Sequence, residues 1–308
     1  MGLKTVLISP VIVRKIANKP VKVGLDAIPA GRFVAEPKLD GERVLLRVGP
    51  DGSGYMANKY GRTYGPEDLS WLANTGLPTG LYDGELYFEN GTVYDLMKAV
   101  RSGIRRENLV LYLFDVLEYD GADVRQMELL KRKEMLERAV RNADEHIRPV
   151  EYVLVESKDE VRSLFSKFIS SGHEGLVLKG LGPYWDTWYK LKRSNIVNLV
   201  VLGFKKTGEW RKRKVPMSFL LGHYDAQARQ FRPLCYASSG LPWSVKAAIG
   251  SFFLEKCLLR GEDNEVVYVE PLLVLEVEFQ EKGPNGKLRS PRIRRLRWDL
   301  RPEECTLS

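Results

Sequence analysis

The sequence predicts an α+β chain: an N-terminal part built on antiparallel sheets, followed by a small Greek-key β-barrel such as an OB-fold. Three observations predict it. Apolar runs with strand character crowd the first 120 residues, with turn signals between them. Two helical patterns follow before Gly172. Beyond the WYKLKR segment, about five strand-like runs and one helix share the remaining residues, which suits a small barrel. A length of 308 residues allows about two domains at roughly 100–200 residues each.

The elements follow in order. FVAEP and RVLLRV flank a KLDGE segment that reads as a tight turn. LYDGELYF alternates, and NLVLYLFDVL is a long apolar strand. The pattern predicts a helix over Gln126–Asn142, with Met127, Leu130 and Val140 among its apolar positions. A second helix is better marked: Ser157 and Glu160 form a capping-box pair, Val161, Leu164, Phe165 and Phe168 recur at helical spacing, and Gly172 ends it. GLVLK is a short strand. VNLVVLGFKK, MSFLLGHYD, QFRPLCY and LLVLEVEF are strand-like, with one helix over about Trp243–Leu259. The pattern changes at Arg193–Asn198, which divides the chain into domains of residues 1–195 and 196–308.

Composition narrows the function. At 44% hydrophobic and 29% charged residues the chain buries a core and is not mainly disordered. No run approaches the roughly 18–20 apolar residues of a membrane span. The N-terminal LISPVIV is too short for a secretory signal and is broken by Pro10, and Val6 stands where myristoylation wants Ser or Thr. Cys235, Cys257 and Cys305 are too far apart for a zinc site or a disulfide framework. A soluble protein of a reducing compartment is expected. His146, His173 and His223 do not cluster. The net charge is +8, and it is uneven. Residues 1–197 hold 29 Lys and Arg against 27 Asp and Glu; residues 198–308 hold 19 against 13. Such asymmetry points to a polyanionic partner.

The sharpest local signal is Lys38-Leu39-Asp40-Gly41-Glu42-Arg43. Read alone it is also a charged hairpin turn, since Asp-Gly is a favoured turn dipeptide. The ordered set decides. KLDGER is preceded by Glu36 and followed by the DGE strand, Asp83-Gly84-Glu85. Next come a strand with Phe114-Asp115, EGLVLK with Glu174 and Lys179, WYKLK with Trp188, Lys190 and Lys192, and finally SPRIRRLRWDLRPEE. Together they resemble the covalent nucleotidyltransferases, specifically the ATP-dependent DNA ligases, over about residues 30–304.

The resemblance implies an ATP-grasp-like nucleotidyltransferase domain for adenylation over residues 1–195 and an OB-fold domain over 196–308. It implies nick sealing in duplex DNA. Lys38 attacks the α-phosphate of ATP, pyrophosphate leaves, AMP passes to the 5′-phosphate of the nick, and the 3′-hydroxyl displaces it. By resemblance Glu36 reads the adenine edge, Phe114 stacks on the base, and Arg43 contacts the ribose and the nick. Glu174 is the leading ligand for Mg²⁺ (or Mn²⁺), with Glu85 next and also on the ribose. Asp40 orients Lys38 or the nick phosphate. Physical chemistry adds a reason for the lysines. A nucleophilic lysine must lose a proton that it holds to about pH 10.4, and neighbouring cations help it do so. Lys190 and Lys192, two apart on a strand, share a face. They are expected to hold the α-phosphate and act on Lys38.

Some positions depart from the family. Asn58-Lys59-Tyr60-Gly61 stands where Ser/Thr-Arg-Asn-Gly is usual, so Lys59 keeps the charge without bidentate geometry, with Arg62 as a substitute. The usual Gly-Arg pair is missing from LGPYWDTWYK, and Leu300 stands at the terminal lysine of RxDK, with Arg301 or Arg297 and Asp299 as replacements. Arg211, Lys212, Arg213 and Lys214, in an expected loop, are set to grip the DNA backbone together with Arg297. A monomer in the cytoplasm, at the nucleoid, with DNA repair or end-joining proteins as partners, is the expectation that goes with this. The alternatives are an RNA ligase, an mRNA guanylyltransferase or a non-catalytic nucleic-acid-binding protein.

Overall fold

A computed structural model describes residues 18–103, 106–283 and 286–307. The N-terminal LISPVIV run and Val6 lie outside the described residues. The chain forms two compact units that divide between Lys192 and Arg193.

The strands of the first unit are β1 (Val21–Lys22), β2 (Phe33–Lys38), β3 (Glu42–Val48), β4 (Gly54–Asn58), β5 (Thr63–Tyr64), β6 (Gly80–Phe88), β7 (Leu109–Tyr119), β8 (Ala122–Asp123), β9 (Ile147–Pro149), β10 (Val153–Val155), β11 (Gly175–Lys179) and β12 (Trp188–Lys192). Its helices are α1 (Val93–Ser102), α2 (Leu129–Ala139) and α3 (Lys158–Ser170). One sheet runs β1-β12-β11-β2-β10, and the other β5-β4-β3-β6-β7-β8 with β9 beside β7. All pairings are antiparallel except β1 with β12 and β7 with β9.

This topology corrects the hairpin. β2 pairs with β10 and β11, whereas β3 pairs with β4 and β6. Leu39-Asp40-Gly41 therefore steps from one sheet to the other. Gly41 is required for close approach rather than for a positive φ. A Cβ there would strike the Leu86 carbonyl oxygen and the Glu85 side chain.

Three cores result. Val44, Leu46, Tyr82, Leu111 and Leu113 face one way and pack with Leu96 of α1 and Leu136 of α2. Phe33, Ala35, Leu176, Leu178 and Leu191 pack with Val161 of α3. Between them, Leu45, Ala57, Leu81 and Leu117 meet Tyr184 and Trp188.

The helices differ from expectation in length. α2 starts at Leu129 rather than Gln126, because the Met127 amide closes a turn on the Val124 carbonyl and the Leu129 amide is taken by Leu181, 2.8 Å away. A 3₁₀ turn carries it through Asn142. α3 has the Ser157–Glu160 capping box and the left-handed Gly172. α1 was not expected, although Thr92 and Asp95 form its capping box and Gly103 its left-handed end.

The second unit holds β13 (Asn195–Lys205), α4 (Gly208–Arg213), β14 (Phe219–Asp225), β15 (Gln230–Ala237), α5 (Trp243–Glu255), β16 (Leu259–Glu262), β17 (Val266–Val269), β18 (Val274–Phe279) and β19 (Arg292–Leu296). The long β13 pairs with β14, β17 and β18 in turn, so one strand serves both sides of the barrel. Its core joins Leu199, Val201, Phe204, Phe219 and Val277 to Phe253 of α5. α5 ends at Glu255, short of Leu259, because Cys257 takes a left-handed φ of 51°. The expected basic loop is partly helical. Trp210 is buried and anchors α4, which carries Arg211, Lys212 and Arg213, and Lys214 caps it in the left-handed region. No described helix is long and apolar enough to cross a membrane.

Candidate active site

Pleating assembles the site, since alternate side chains on a strand face opposite ways. On β2, Phe33 and Ala35 go to the α3 core, which turns Glu36 and Lys38 to the other face. On β11, Leu176 and Leu178 do the same for Val177 and Lys179. On β12, Leu191 does so for Trp188, Lys190 and Lys192. The second sheet contributes Arg43, Glu85 and Phe114. Glu36, Lys38, Val177, Lys179, Trp188, Lys190 and Lys192 join them in lining one cavity of about 430 Å³, the size of a small-molecule site.

At one end of it is Lys38. Its ammonium pairs with Glu174 Oε2 at 2.6 Å, and Lys192 pairs with the other oxygen of the same carboxylate. Cations and Asp40 were expected around Lys38; the fold puts the Glu174 carboxylate in direct contact with it. Burial, together with Lys38, lowers the pKa of Lys192, and burial with Lys192 and Lys38 lowers that of Lys190. Glu85 accepts from the Gly41 amide at 3.2 Å. Burial pushes its pKa up to about 7, against the pull of Lys38 and Arg43.

At the other end, Phe114 and Trp188 meet edge to face, with centroids 6.1 Å apart. The Lys179 ammonium lies 4.2 Å from both rings and donates to the Phe114 carbonyl. It also pairs with Glu36 at 2.8 Å. Burial lowers its pKa to about 8, against the pull of Glu36. The second oxygen of Glu36 contacts Lys133 of α2. Arg43 grips Asp83 through two nitrogens at 3.0 and 2.5 Å. Its guanidinium sits 5.3 and 5.4 Å from the Phe114 and Trp188 rings. Tyr184 donates its hydroxyl to the same Asp83 carboxylate.

Comparison with known proteins fits this arrangement. The model for the ATP dependent DNA ligase domain matches residues 82–196, and that for the ATP dependent DNA ligase C terminal region matches 212–300. The chain belongs to the ATP-dependent DNA ligase family. It is 31% identical over 215 residues to a DNA ligase of Thermococcus fumicolans, covering 66% of this chain and 38% of that protein. It is 29% identical over 300 residues to the multifunctional non-homologous end joining protein LigD of Pseudomonas aeruginosa, covering 90% of this chain and 35% of that one. The chain thus spans well under two thirds of either relative. A solved Lig E DNA ligase shares the fold, with a TM-score of 0.66 at 18% identity over 91% of this chain and 98% of that one.

Within this ligase-family chain the remaining expected residues fall in different places. Lys59 and Tyr60 line the mouth of the cavity. Their turn is ordered by buried Asn58, whose Oδ1 accepts from the Tyr60 and Arg62 amides while its Nδ2 donates to Glu42. Arg62 belongs to that turn and not to the cavity wall. Asp40 lies in the sheet-to-sheet step, near enough to Lys192 to be felt by it. Arg211, Lys212, Arg213 and Lys214 are exposed on the barrel unit. Arg297, expected on DNA, pairs within the barrel with Asp299 at 2.7 Å and Glu276 at 3.5 Å. Leu300 packs against a small cluster of Val200, Val274 and Cys305, and Arg301 is solvent-facing with Glu304 as its partner. The sequence reading missed Lys133, Asp83, Tyr184 and Asn58 as site residues. Lys133 and Tyr184 lie outside the motifs and carried no signal, whereas Asp83 and Asn58 each open a motif, DGE and NKYG.

Proposed function

We propose that the chain is an ATP-dependent DNA ligase that seals 5′-phosphate/3′-hydroxyl nicks through a lysyl-AMP and an AMP–DNA intermediate. The observation that carries this reading is a single cavity with a lysine-rich phosphate end and an aromatic base end, with Lys38 at the former. Residues up to Lys192 act as the adenylation domain and the barrel as the OB-fold domain.

In this reading the base of ATP enters against Phe114 and Trp188, with Glu36 at its edge. Lys190 and Lys192 neutralise the α-phosphate, and Lys38 Nζ attacks it. The P–N bond forms as the bond to pyrophosphate breaks, and the lysine proton is lost to solvent or a neighbouring base. The enzyme's contribution is positioning and charge neutralisation. Mg²⁺ supplies further neutralisation of the phosphate oxygens when bound. Glu85 and Glu174 suit it: this ion commonly takes one or two carboxylates and completes its shell with water and phosphate. No cluster of three or more His, Cys, Asp or Glu exists among the described residues, so those other ligands would come from the nucleotide and water. Lys59, on the cavity lining, faces the nucleotide phosphates, and the exposed Arg211, Lys212, Arg213 and Lys214 grip the DNA backbone. The substrate places the protein with the nucleoid in the cytoplasm, acting as a monomer alongside repair or end-joining proteins.

The test is incubation with ATP labelled at the α-phosphate, followed by a denaturing gel and by sealing assays on DNA and RNA nicks. A labelled protein band and sealing of the DNA nick are expected. Absence of a covalent adduct refutes the reading, and transfer from GTP or sealing confined to RNA turns it to a guanylyltransferase or RNA ligase.

A further inference from the structure

Glu36 is buried at 3% exposure on the cavity face of β2, and its two oxygens are held from two sides. Lys179 reaches one oxygen from within the cavity wall. Lys133 reaches the other from behind: it comes from α2 and lines a separate pocket with Glu137 and Tyr152. We propose that Lys133 is a positioning residue for base selection, holding the Glu36 carboxylate so that the site prefers a purine with a 6-amino group. The proposal rests on reading the cavity as the ATP site.

A carboxylate offers about four acceptor directions. The two ammonium groups each pair with one oxygen as ion pairs, which leaves acceptor directions for a donor in the cavity. A 6-amino group supplies that donor, whereas a 6-oxo group would set acceptor against acceptor. Direction is what the second ammonium adds. A carboxylate tied at one oxygen still pivots about its terminal torsion, which is soft; tied at both, it keeps one orientation. Lys133 is itself fixed. Its side chain is 2% exposed and its ammonium lies 5.1 Å from the Tyr152 ring. Its neighbour Arg132 is locked to Asp115 in a buried pair at 2.8 Å. The two pairs anchor the same turn of α2 beside Glu36.

Charge makes the test practicable. Two lysines face one glutamate, so removing Lys133 leaves Glu36 paired with Lys179 rather than alone. Breaking a buried pair is most costly when it strands a charge, and here none is stranded.

The experiment measures single-turnover adduct formation by the wild type, Lys133→Met and Lys133→Gln. Each is given ATP and purine riboside triphosphate, which is ATP without its 6-amino group. The wild type is expected to favour ATP by about tenfold or more, as for a hydrogen bond to a charged group, mainly through half-saturation rather than limiting rate. In Lys133→Met the preference shrinks to within about threefold, with the analogue's own values nearly unchanged. The glutamine side chain is uncharged and one atom shorter, so its amide does not reach the Glu36 oxygen that the ammonium contacts; it supplies the same comparison where the methionine variant does not fold. Equal losses with both nucleotides, or an unchanged preference, overturn the proposal and make Lys133 a purely structural residue. A wild type that forms the adduct but ignores the 6-amino group overturns the base-end reading as well, whereas a wild type that forms no adduct overturns the ligase reading itself.

Discussion

Glu85→Gln should make the protein more stable near pH 8 than near pH 5, relative to the wild type. Burial raises the Glu85 pKa from 4.5 to about 7. The unfolded carboxyl releases its proton near 4.5 and the folded one near 7. Between these values the unfolded state binds fewer protons, so wild-type stability falls as pH rises through the window and levels off above it. At about 1.4 kcal/mol per pKa unit the full shift corresponds to at most about 3 kcal/mol, and partial exposure to solvent reduces this to about 2 kcal/mol. Glutamine is isosteric and does not titrate, so that penalty disappears. For a unit of this size about 2 kcal/mol is about 4–8 °C in Tm. The assay is thermal unfolding of wild type and variant at pH 5 and pH 8 without nucleotide or divalent cation. Taking the difference between proteins cancels the groups they share. A Tm difference that rises by several degrees between the two pH values is expected, while adduct formation falls because a carboxylate facing the cavity is lost. The same Tm difference at both pH values refutes the reasoning: Glu85 would then be solvated in the folded protein.

Four other outcomes follow. Lys38→Ala should abolish label transfer from ATP and sealing of an ordinary nick, yet retain sealing of a nick that already carries 5′-AMP; a normal adduct in this variant removes Lys38 as the nucleophile. Neutralising Arg211, Lys212, Arg213 and Lys214 should weaken nick binding and reduce its log–log salt slope by about 0.9 per lost phosphate contact, leaving adduct formation normal; an unchanged slope places α4 away from DNA. Tyr184→Phe removes the hydroxyl that donates to Asp83 and should cost about 1 kcal/mol, read as a lower unfolding midpoint for the first unit. Leu300→Lys would place an ammonium against Val200, Val274 and Cys305 and should lower barrel stability by about 1 kcal/mol without speeding adduct formation; a faster first step would show that this position serves pyrophosphate departure.

Local rules were enough for much of this protein. Ser157, Glu160 and Gly172 mark α3 because capping involves residues three or so apart. Lys190 and Lys192 share a face because strand pleat is a property of adjacent residues, and the cavity receives both. The ordered motifs carried the family and most of the cavity lining. Tertiary structure alone decided which sheet each strand joins. KLDGE reads as a hairpin because Asp-Gly suits a turn, but β2 finds its partners more than a hundred residues away, and β3 turns instead to β4 next to it and to β6 about forty residues on. The same holds for charge. The segment WYKLK shows its cations, but the carboxylate that meets Lys38 and Lys192 lies on the far side of a sheet pairing, at Glu174. Lys133 looks like any charged residue of an amphipathic helix until packing buries it against Glu36. Periodicity tells which residues share a face. What the face meets is set by long-range pairing, and that is where the partners of Glu36, Lys38 and Arg43 were determined.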